Sequence, residues 1–428
     1  MHVKIRIQTI EINHIKNVGY GKVTFQDGNL VSTSGASILG VFGQNGSGKT
    51  ALLDSLLLYR TLLSGEALDA YSAYLINLEE KEAIVNVTSR LSLGDEHYFV
   101  HYHFKLGTSS TRHVFVTDET LSYHLEGEKR FKPLLKATLN HHLIHVEHLD
   151  QFLVSLNPPK STRSTLFSPE VGRVLEGREK VLYEALKAYG KDNILIINQF
   201  SNRDFRTKDV FPLIYHVAMN GYQKSVMKVR YGINYLNEDE LAIFKTIVGK
   251  ISLLLNNIIP GIALQYLEGK KTKRGYQVEL VTKRNQVILP LKYESIGVKK
   301  LVLVIGALIS MYNSHNVIVA IDEIDAGIFE YLLGEIFLVL KEEAKGQLLF
   351  TSHNLRPLEI LNPYQVVFTT ANPLARYLVM TKTSKKINLR DFYLRSIELG
   401  GQKENVYTST DPFEISRAFR LAGRDDEK

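Results

Sequence analysis

The sequence predicts an α/β fold with a mixed sheet, an antiparallel β region at the N-terminus and a helical insertion in the middle. Apolar and polar residues alternate from Val3 to Ile12 and again from Glu82 to Leu106, as in half-buried antiparallel strands. A glycine-rich loop joins a short apolar strand, Ser37 to Phe42, to a segment with helical spacing. From Gly275 onward, apolar strands alternate with helices, which is typical of an α/β domain.

The composition is that of an ordinary globular protein, and the absence of cysteine fits a reducing compartment. Of the 428 residues, 44% are hydrophobic, 23% are charged and none is cysteine, so disulfides, thiolate metal sites and cysteine nucleophiles are excluded. The N-terminal residues lack the apolar core of a signal peptide, and the longest apolar run, Leu301 to Ile309, is too short to cross a bilayer. We therefore expect a cytoplasmic protein without membrane contact. Its net charge of +7 fits a solvated surface and a DNA path equally well.

Changes in pattern divide the chain into three segments, residues 1–125, 126–274 and 275–428. The first segment contains the early strands and the glycine-rich loop. For the second we expect a mainly helical insertion, in which Asn237 and Glu240 form the capping box of a long helix. The third begins with a hairpin and continues through helices and buried strands, so the insertion splits one fold into two lobes.

The glycine-rich loop reads GQNGSGKT and fits the pattern GxxxxGK[ST]. Glycines let backbone N–H groups turn inward around phosphate oxygens. We expect Lys49 to neutralise the β- and γ-phosphates of ATP and the Thr50 hydroxyl to bind Mg²⁺. A purely structural turn is the alternative, but the preceding strand and following helix favour the phosphate site. The residues predicted to bind nucleotide are Gly43, Asn45, Gly46, Ser47, Gly48, Lys49 and Thr50.

Two acids end an apolar strand that starts at Val317. We expect Asp322 to serve Mg²⁺, directly or through water, and Glu323 to act as the base that deprotonates the attacking water. Two acids at the end of a strand are ordinary by themselves, so this prediction depends on the glycine-rich loop. A parallel sheet would bring the end of this strand beside that loop.

Two further stretches are candidates for phosphate contacts. The apolar strand from Leu348 ends in His353, which we expect beside Asp322 and within reach of the γ-phosphate. A structural histidine is the alternative. Ser295 and Gly297 precede a helix, and such a helix start binds anions. Ser295 could also cap its own helix, and the two roles are compatible.

These four elements, in this order, resemble the ATP-binding cassette (ABC) type of ATPase, and more narrowly its RecF/SMC-like branch. That branch includes the overcoming-lysogenization-defect (OLD) proteins and the ATPases of anti-phage systems such as Septu and PARIS. The opening IQTIEINHIKNVGYGKVTF is similar to the first strands of the branch, and ESIGVKKLVLVIGAL to its signature. IDEID resembles its Walker B motif, TSHN its histidine switch and DFYLRSIELGGQKENVY the tails of this group. The likeness covers Met1 to Leu125 and Gly275 to Tyr407.

The resemblance implies a P-loop NTPase that acts as a homodimer or higher homo-oligomer. Two heads would hold two ATP molecules between them. Each nucleotide would lie on Lys49 and Thr50 of one subunit, covered by Ser295 and Gly297 of the other. Glu323 would be the catalytic base, and His353 the γ-phosphate sensor.

In function, the resemblance implies a Mg²⁺-dependent ATP-hydrolysing switch of bacterial anti-phage defence, which controls a separate nuclease or toxin. No acidic cluster after His353 looks like the two-metal nuclease of OLD proteins. Two alternatives stay open: a RecF/SMC-like DNA-repair ATPase, and a non-hydrolysing scaffold that uses ATP to hold a toxin. Phe329 favours the scaffold, because the family often has an aspartate or histidine there. Gln199 and Gln151 are weak candidates for the Q-loop glutamine.

Two charged stretches carry less weight. His141, His145 and His148 would share one helical face, which a metal could use, although an ordinary polar face is favoured. If the protein binds DNA, we expect the phosphates at the basic turn from Glu268 to Gly275 and at the stretch from Lys160 to Arg163, although a basic turn of this kind is usually only solvated.

Overall fold

The computed structural model describes residues 3–25, 35–140, 143–147, 161–198, 210–219, 222–379, 388–399 and 404–423. The strands are β1 (Val3–Ile15), β2 (Val18–Thr24), β3 (Ser37–Phe42), β4 (Glu82–Leu93), β5 (Glu96–Thr108), β6 (Val114–Leu125), β7 (Lys132–Asn140), β8 (Leu143–Glu147), β9 (Ile194–Ile197), β10 (Val210–Met219), β11 (Tyr222–Arg230), β12 (Ile233–Leu236), β13 (Ile262–Thr272), β14 (Gly275–Arg284), β15 (Val287–Pro290), β16 (Ile318–Ile321), β17 (Gln347–Ser352), β18 (Val366–Thr369) and β19 (Tyr377–Val379). The helices are α1 (Lys49–Leu63), α2 (Pro169–Val174), α3 (Gly177–Asp192), α4 (Glu238–Ile258), α5 (Ile296–Asn313), α6 (Glu330–Glu343), α7 (Leu389–Leu399) and α8 (Pro412–Ala422).

The six-stranded core sheet carries the candidate site at one edge. Its strand order is β19-β18-β3-β17-β16-β9, with β19 antiparallel to its neighbour and the other pairs parallel. Leu39 and Val41 face one side of this sheet, and Ile38 and Phe42 face the other. Because both faces are buried, the strands are apolar throughout rather than alternating.

One face of the core sheet packs on α1, which lies between it and the N-terminal sheet. That second sheet is antiparallel, with the order β2-β1-β4-β5-β6-β7-β8. Alternate residues of β5, such as Tyr98, Val100 and Tyr102, point into this core. The α/β class with a mixed sheet and an antiparallel N-terminal β region is therefore confirmed.

The other face of the core sheet packs on α5, with α4 and the β12–β15 sheet beyond it. Asn237 and Glu240 form the predicted capping box at the start of α4. By length and hydropathy alone, α4 and α5 could each cross a membrane. In the fold, 61% of the 18 residues of α5 are buried. Side chains such as Val302 and Phe244 form the hydrophobic core on this side of the sheet.

Side-chain hydrogen bonds to β1 join the N-terminal sheet to the core sheet. The Gln347 side chain accepts from Ile7 N and donates to Ile7 O, both at 2.7 Å. Asn316 Oδ1 accepts from Ile5 N at 2.6 Å. These amides satisfy backbone groups in the part of β1 that does not pair with β2, since the β1–β2 register begins at Thr9. The lobe that carries β1 is therefore anchored to the core sheet.

The prediction of a mainly helical segment over 126–274 is wrong for the described residues. β7 and β8 extend the N-terminal sheet, β9 joins the core sheet beside β16, and β10 and β11 form a ribbon. A short, uniformly apolar run such as Ile194–Ile197 has no period that distinguishes a strand from a helix. The middle segment supplies β9 to the core sheet, so the structure does not separate this segment from the other two. The segment boundaries at 125/126 and 274/275 therefore stay a prediction.

The histidine-rich stretch also differs from its prediction. The backbone at His145 lies in β8, so the expected helical face is not formed there. His141, His148, Gln151 and Gln199 lie outside the described residues, as does Lys160.

Candidate active site

The glycine-rich loop runs from β3 into α1, and two of its glycines, Gly43 and Gly48, lie close to other parts of the chain. A Cβ on Gly43 would lie 1.7 Å from the Thr369 hydroxyl, so no other residue fits. Gly48 has a φ of +88°, and a Cβ there would lie 2.7 Å from Val18 Cγ2. The loop is thus held in a shape that only glycine allows.

Lys49 lies inside this loop. Its ammonium donates to the carbonyls of Gly43 and Gln44, both at 2.8 Å, and the residue is 7% exposed. Burial lowers the pKa of Lys49, and the carboxylates of Asp322, Glu323 and Asp325 act in the opposite direction. A positive charge held inside the glycine-rich loop fits a phosphate group.

The structure brings Thr50 and Asp322 together. The Thr50 hydroxyl lies 3.2 and 3.4 Å from the two Asp322 carboxylate oxygens. β17 lies between β3 and β16 in the sheet, but the carboxyl ends of all three strands meet at one edge. A hydroxyl and a carboxylate are oxygen ligands of the kind Mg²⁺ prefers, so these residues fit the ion.

Glu323 follows Asp322 and has an unusual backbone. Its φ is +47°, in the left-handed region that a non-glycine residue rarely adopts. Its N–H donates to the Thr351 hydroxyl at 2.8 Å, and that hydroxyl donates to Asp322 Oδ1 at 2.6 Å. Ile324 N also donates to the Thr351 carbonyl at 3.0 Å. Thr351 therefore holds both acids, and such strain is typical of functional sites.

His353 lies at the end of β17, beside the strand that leads to Asp322, as the sequence predicts. Its backbone N–H lies 3.2 Å from Asp325 Oδ2, and Asn354 N donates to the same oxygen at 3.0 Å. The imidazole is exposed at the edge of the sheet where the glycine-rich loop lies. Asp325 thus fixes the backbone that carries the histidine.

Ser295 caps α5, as the alternative interpretation expected: its hydroxyl accepts from Val298 N at 3.3 Å. The residue before it, Glu294, is buried and forms an ion pair with Arg284 at 2.6 Å. It also accepts from the Thr282 hydroxyl, so it ties the β14–β15 hairpin to the start of α5. Gly297 packs against the backbone of Gly327 in the loop that follows Glu323.

Three residues that are remote in sequence donate hydrogen bonds to the glycine-rich loop. The Tyr377 hydroxyl donates to the Gly48 carbonyl at 2.9 Å, and the Thr369 hydroxyl donates to Ser47 Oγ at 2.6 Å. Thr408 N donates to Gln44 Oε1 at 3.0 Å. Sequence reasoning missed these residues because no local pattern distinguishes them.

A buried ion pair lies on the first turns of α1. The fully buried Asp54 pairs with Lys16 from the β1–β2 turn and accepts from Asn198 Nδ2 at 3.1 Å. Burial raises the pKa of Asp54, whereas the Lys16 ammonium acts to lower it. The turn between β1 and β2 is thereby fixed over α1, and the Asn17 side chain donates to the Gly46 carbonyl.

A family model described as "AAA domain, putative AbiEii toxin, Type IV TA system" matches residues 38–360, more than half of the chain. The chain belongs to this AAA family. The matched range of this AAA-domain protein extends from the strand before the glycine-rich loop to beyond His353. The parallel strands β3, β17 and β16 end at one edge of the sheet, as the sequence predicts for the glycine-rich loop and Asp322.

The AAA-domain protein is also similar to solved SMC head domains. A Smc head bound to the C-terminal winged-helix domain of ScpA has 14% identity and a TM-score of 0.48, over 88% of this chain and 97% of that one. The SMC head from Thermotoga maritima has 15% identity and a TM-score of 0.40, over 88% of this chain and 100% of that one. None of the curated proteins compared with this chain matches it.

Proposed function

We propose that this protein binds ATP with Mg²⁺ and hydrolyses it to ADP and phosphate in the cytoplasm. The contact between Thr50 and Asp322, 3.2 Å apart, is the observation that carries the proposal. A hydroxyl and a carboxylate so close together, beside a glycine-rich loop, are suited to share one hard cation. Lys49 is already enclosed by the loop and supplies positive charge to the phosphates.

Glu323 is the residue that we assign to the attacking water. When bound, Mg²⁺ neutralises charge on the phosphate oxygens. Glu323 directly follows the residue assigned to the ion, and its carboxylate serves as the proton acceptor. Thr351 orients it, and His353 at the end of the neighbouring strand is assigned to sense the γ-phosphate.

We further propose that the site is completed by a second copy of the chain, in a homodimer or a higher homo-oligomer. Ser295 and Gly297 of one subunit would cover the nucleotide of the other. Large apolar side chains lie exposed next to them, and exposed groups of this kind mark protein interfaces. They are Tyr293, Ile296, Phe329 and Tyr331, which are 66%, 77%, 69% and 63% exposed.

The biological role that we propose is a switch in anti-phage defence, which senses a trigger and controls a separate nuclease or toxin. The family description, with its reference to a toxin and a type IV toxin–antitoxin system, supports this context. The resemblance of the motifs to OLD, Septu and PARIS ATPases supports it independently.

Two other functions each have an observation in their favour. Phe329, exposed where related ATPases often carry a polar residue, favours a scaffold that binds ATP without hydrolysing it. The β13–β14 turn favours DNA binding, as in DNA repair, because its four basic side chains are all exposed. These are Lys270, Lys271, Lys273 and Arg274. Binding to duplex DNA that weakens steeply with salt, and is lost on replacing these residues by glutamine, would favour the DNA function.

Phosphate release with Mg²⁺ and ATP, with oligomer mass measured on the same samples, tests the proposal. We expect turnover by the wild type and none by Lys49→Ala. Glu323→Gln should not turn over either, but should accumulate a larger ATP-bound assembly. Glu342→Gln, which alters an exposed glutamate at the end of α6, is the matched control and should behave as wild type. A wild type that assembles with ATP but never releases phosphate contradicts hydrolysis and supports the scaffold.

A further inference from the structure

The start of α5 touches the loop that follows β16 in two places. We call residues 322–329 the acidic loop, because it carries Asp322, Glu323 and Asp325. One contact joins Gly297 to Gly327, and the other joins Lys300 to Asp322. The helix that begins at Ser295 and the loop that contains Glu323 are therefore in direct contact within one subunit.

The first contact leaves no free space. A Cβ on Gly297 would lie 2.2 Å from the Gly327 carbonyl oxygen, and a Cβ on Gly327 would lie 3.2 Å from Gly297 Cα. Both neighbours are backbone atoms, which cannot move aside as a flexible side chain can. A movement of the first turn of α5 toward the acidic loop must therefore displace the loop.

The second contact acts on one peptide group. Lys300 Nζ donates to the Asp322 carbonyl oxygen at 3.1 Å. The N–H of the same peptide group belongs to Glu323 and donates to the Thr351 hydroxyl at 2.8 Å. Lys300 and Thr351 thus hold the two ends of the peptide plane that precedes Glu323. The orientation of that plane determines φ of Glu323, which is +47° and needs such support.

The ammonium of Lys300 is partly buried beside three carboxylates. Burial lowers the pKa of Lys300, and the carboxylates of Asp322, Glu323 and Asp325 act in the opposite direction. Lys299 is different, since its ammonium donates to the Lys292 carbonyl on the exposed side of α5, at 3.1 Å.

We propose that Lys300 is a positioning residue for Glu323, and that through it α5 sets the orientation of the Glu323 carboxylate in the same subunit. The inference rests on the proposed ATPase function. It adds a direction of coupling. Ser295 contacts the nucleotide of the second copy, and this contact fixes the position of α5. Lys300 then couples the position of α5 to the acidic loop of the same subunit. Engagement of α5 on the partner thereby favours hydrolysis of the ATP that the same subunit binds.

Three variants test the proposal by phosphate release. Lys300→Met keeps the length of the side chain without a donor, Lys300→Arg keeps a donor, and Lys299→Met is the control. We expect Lys300→Met to lower kcat about tenfold or more with KM for ATP within about twofold, and Lys300→Arg to recover part of the loss. Lys299→Met should match the wild type. Equal kcat in Lys300→Met and wild type overturns the proposal, as does an equal loss in Lys300→Met and Lys300→Arg.

Hydrogen exchange of peptides that cover residues 322–329 gives a second readout that needs no turnover. In Lys300→Met we expect faster exchange in this loop than in wild type, while peptides from α1 stay unchanged. Unchanged exchange in the loop overturns the proposal. If wild type shows no phosphate release, the proposed hydrolysis fails, and exchange alone decides whether Lys300 positions the acidic loop.

Discussion

The Thr351 hydroxyl accepts from the Glu323 N–H at 2.8 Å and donates to the Asp322 carboxylate at 2.6 Å. One buried side chain at the end of β17 thus orients both acids at the end of β16. β17 also leads to His353. One short segment, residues 351–353, therefore contacts or carries Asp322, Glu323 and His353.

Replacing Thr351 by valine should lower kcat with little change in KM. Valine keeps the shape but removes the hydroxyl, so the Glu323 N–H loses its partner and the strained backbone is free to relax. We expect a loss of about tenfold or more in phosphate release. Thr246→Val is the control, because that hydroxyl donates within its own helix, to Ala242 O. A Thr351→Val protein with wild-type kcat would show that the hydroxyl does not orient Glu323.

Replacing Tyr377 by phenylalanine should weaken nucleotide binding more than hydrolysis. The change removes the hydrogen bond to the Gly48 carbonyl, worth about 0.5–1.5 kcal/mol, and loosens the loop around the phosphates. We expect the Kd for ATP, measured by calorimetry, to rise by about two- to tenfold. Tyr74→Phe, at a residue that is 58% exposed, should leave the Kd unchanged. Equal Kd values for Tyr377→Phe and wild type would contradict this support of the loop.

Replacing Gly297 by alanine should impair both turnover and assembly. The new Cβ would lie 2.2 Å from the Gly327 carbonyl, so α5 and the acidic loop must separate. In a Glu323→Gln background we expect less ATP-dependent oligomer, measured by light scattering. Gly249→Ala in α4 is the matched control, because no atom lies within 4 Å of its Cβ position. Full assembly of the Gly297→Ala protein would mean that this contact does not shape the interface.

Glu119 should control folding stability and its pH dependence. It is fully buried and accepts from Tyr102 Oη, Ser164 Oγ at 2.6 Å and Thr165 N at 2.7 Å. Glu119→Gln replaces one acceptor oxygen by an NH₂ group that faces other donors. We expect the free energy of unfolding, measured by heat or denaturant, to fall by about 1–3 kcal/mol. Glu342→Gln should show no loss.

Burial raises the pKa of Glu119 above its usual value of 4.5. The Glu119 carboxyl group therefore binds its proton more tightly in the folded state than in the unfolded chain. Its contribution to stability is fully present below pH 4.5 and is lost as pH rises through the raised pKa. Unfolding free energies measured upward from pH 4.5 should show this decline in wild type and not in Glu119→Gln. Parallel curves for the two proteins would mean that Glu119 does not titrate as burial dictates.

The sequence predicted the local motifs better than the middle of the fold. Gly43 to Thr50 and the acids after Ile321 are continuous in sequence, so their chemistry could be inferred without knowing the fold. Ile194–Ile197 was missed as a strand, because a short apolar run lacks periodicity and its identity comes from pairing with β16.

The residues that support the site could not be predicted in the same way. Thr351 and Tyr377 act only because sheet pairing places them beside Glu323 and Gly48. Nothing in their own sequence neighbourhood specifies these contacts. Lys300 stands one position from Lys299, and only their different contacts, to the Asp322 and Lys292 carbonyls, distinguish the two.

Mixing two inactive variants tests the central claim, an ATPase site shared between two copies, most directly. Lys49→Ala removes the phosphate lysine, and Ser295→Arg blocks the covering helix, so each variant alone should release no phosphate. With random pairing, about half of the dimers would be mixed, each with one intact site, so turnover should return and reach at most about a quarter of wild type. It falls below a quarter to the extent that the blocked α5 of the hydrolysing subunit no longer positions Glu323. A mixture that forms dimers but stays inactive, while Ser295→Arg alone hydrolyses ATP normally, would contradict the shared site.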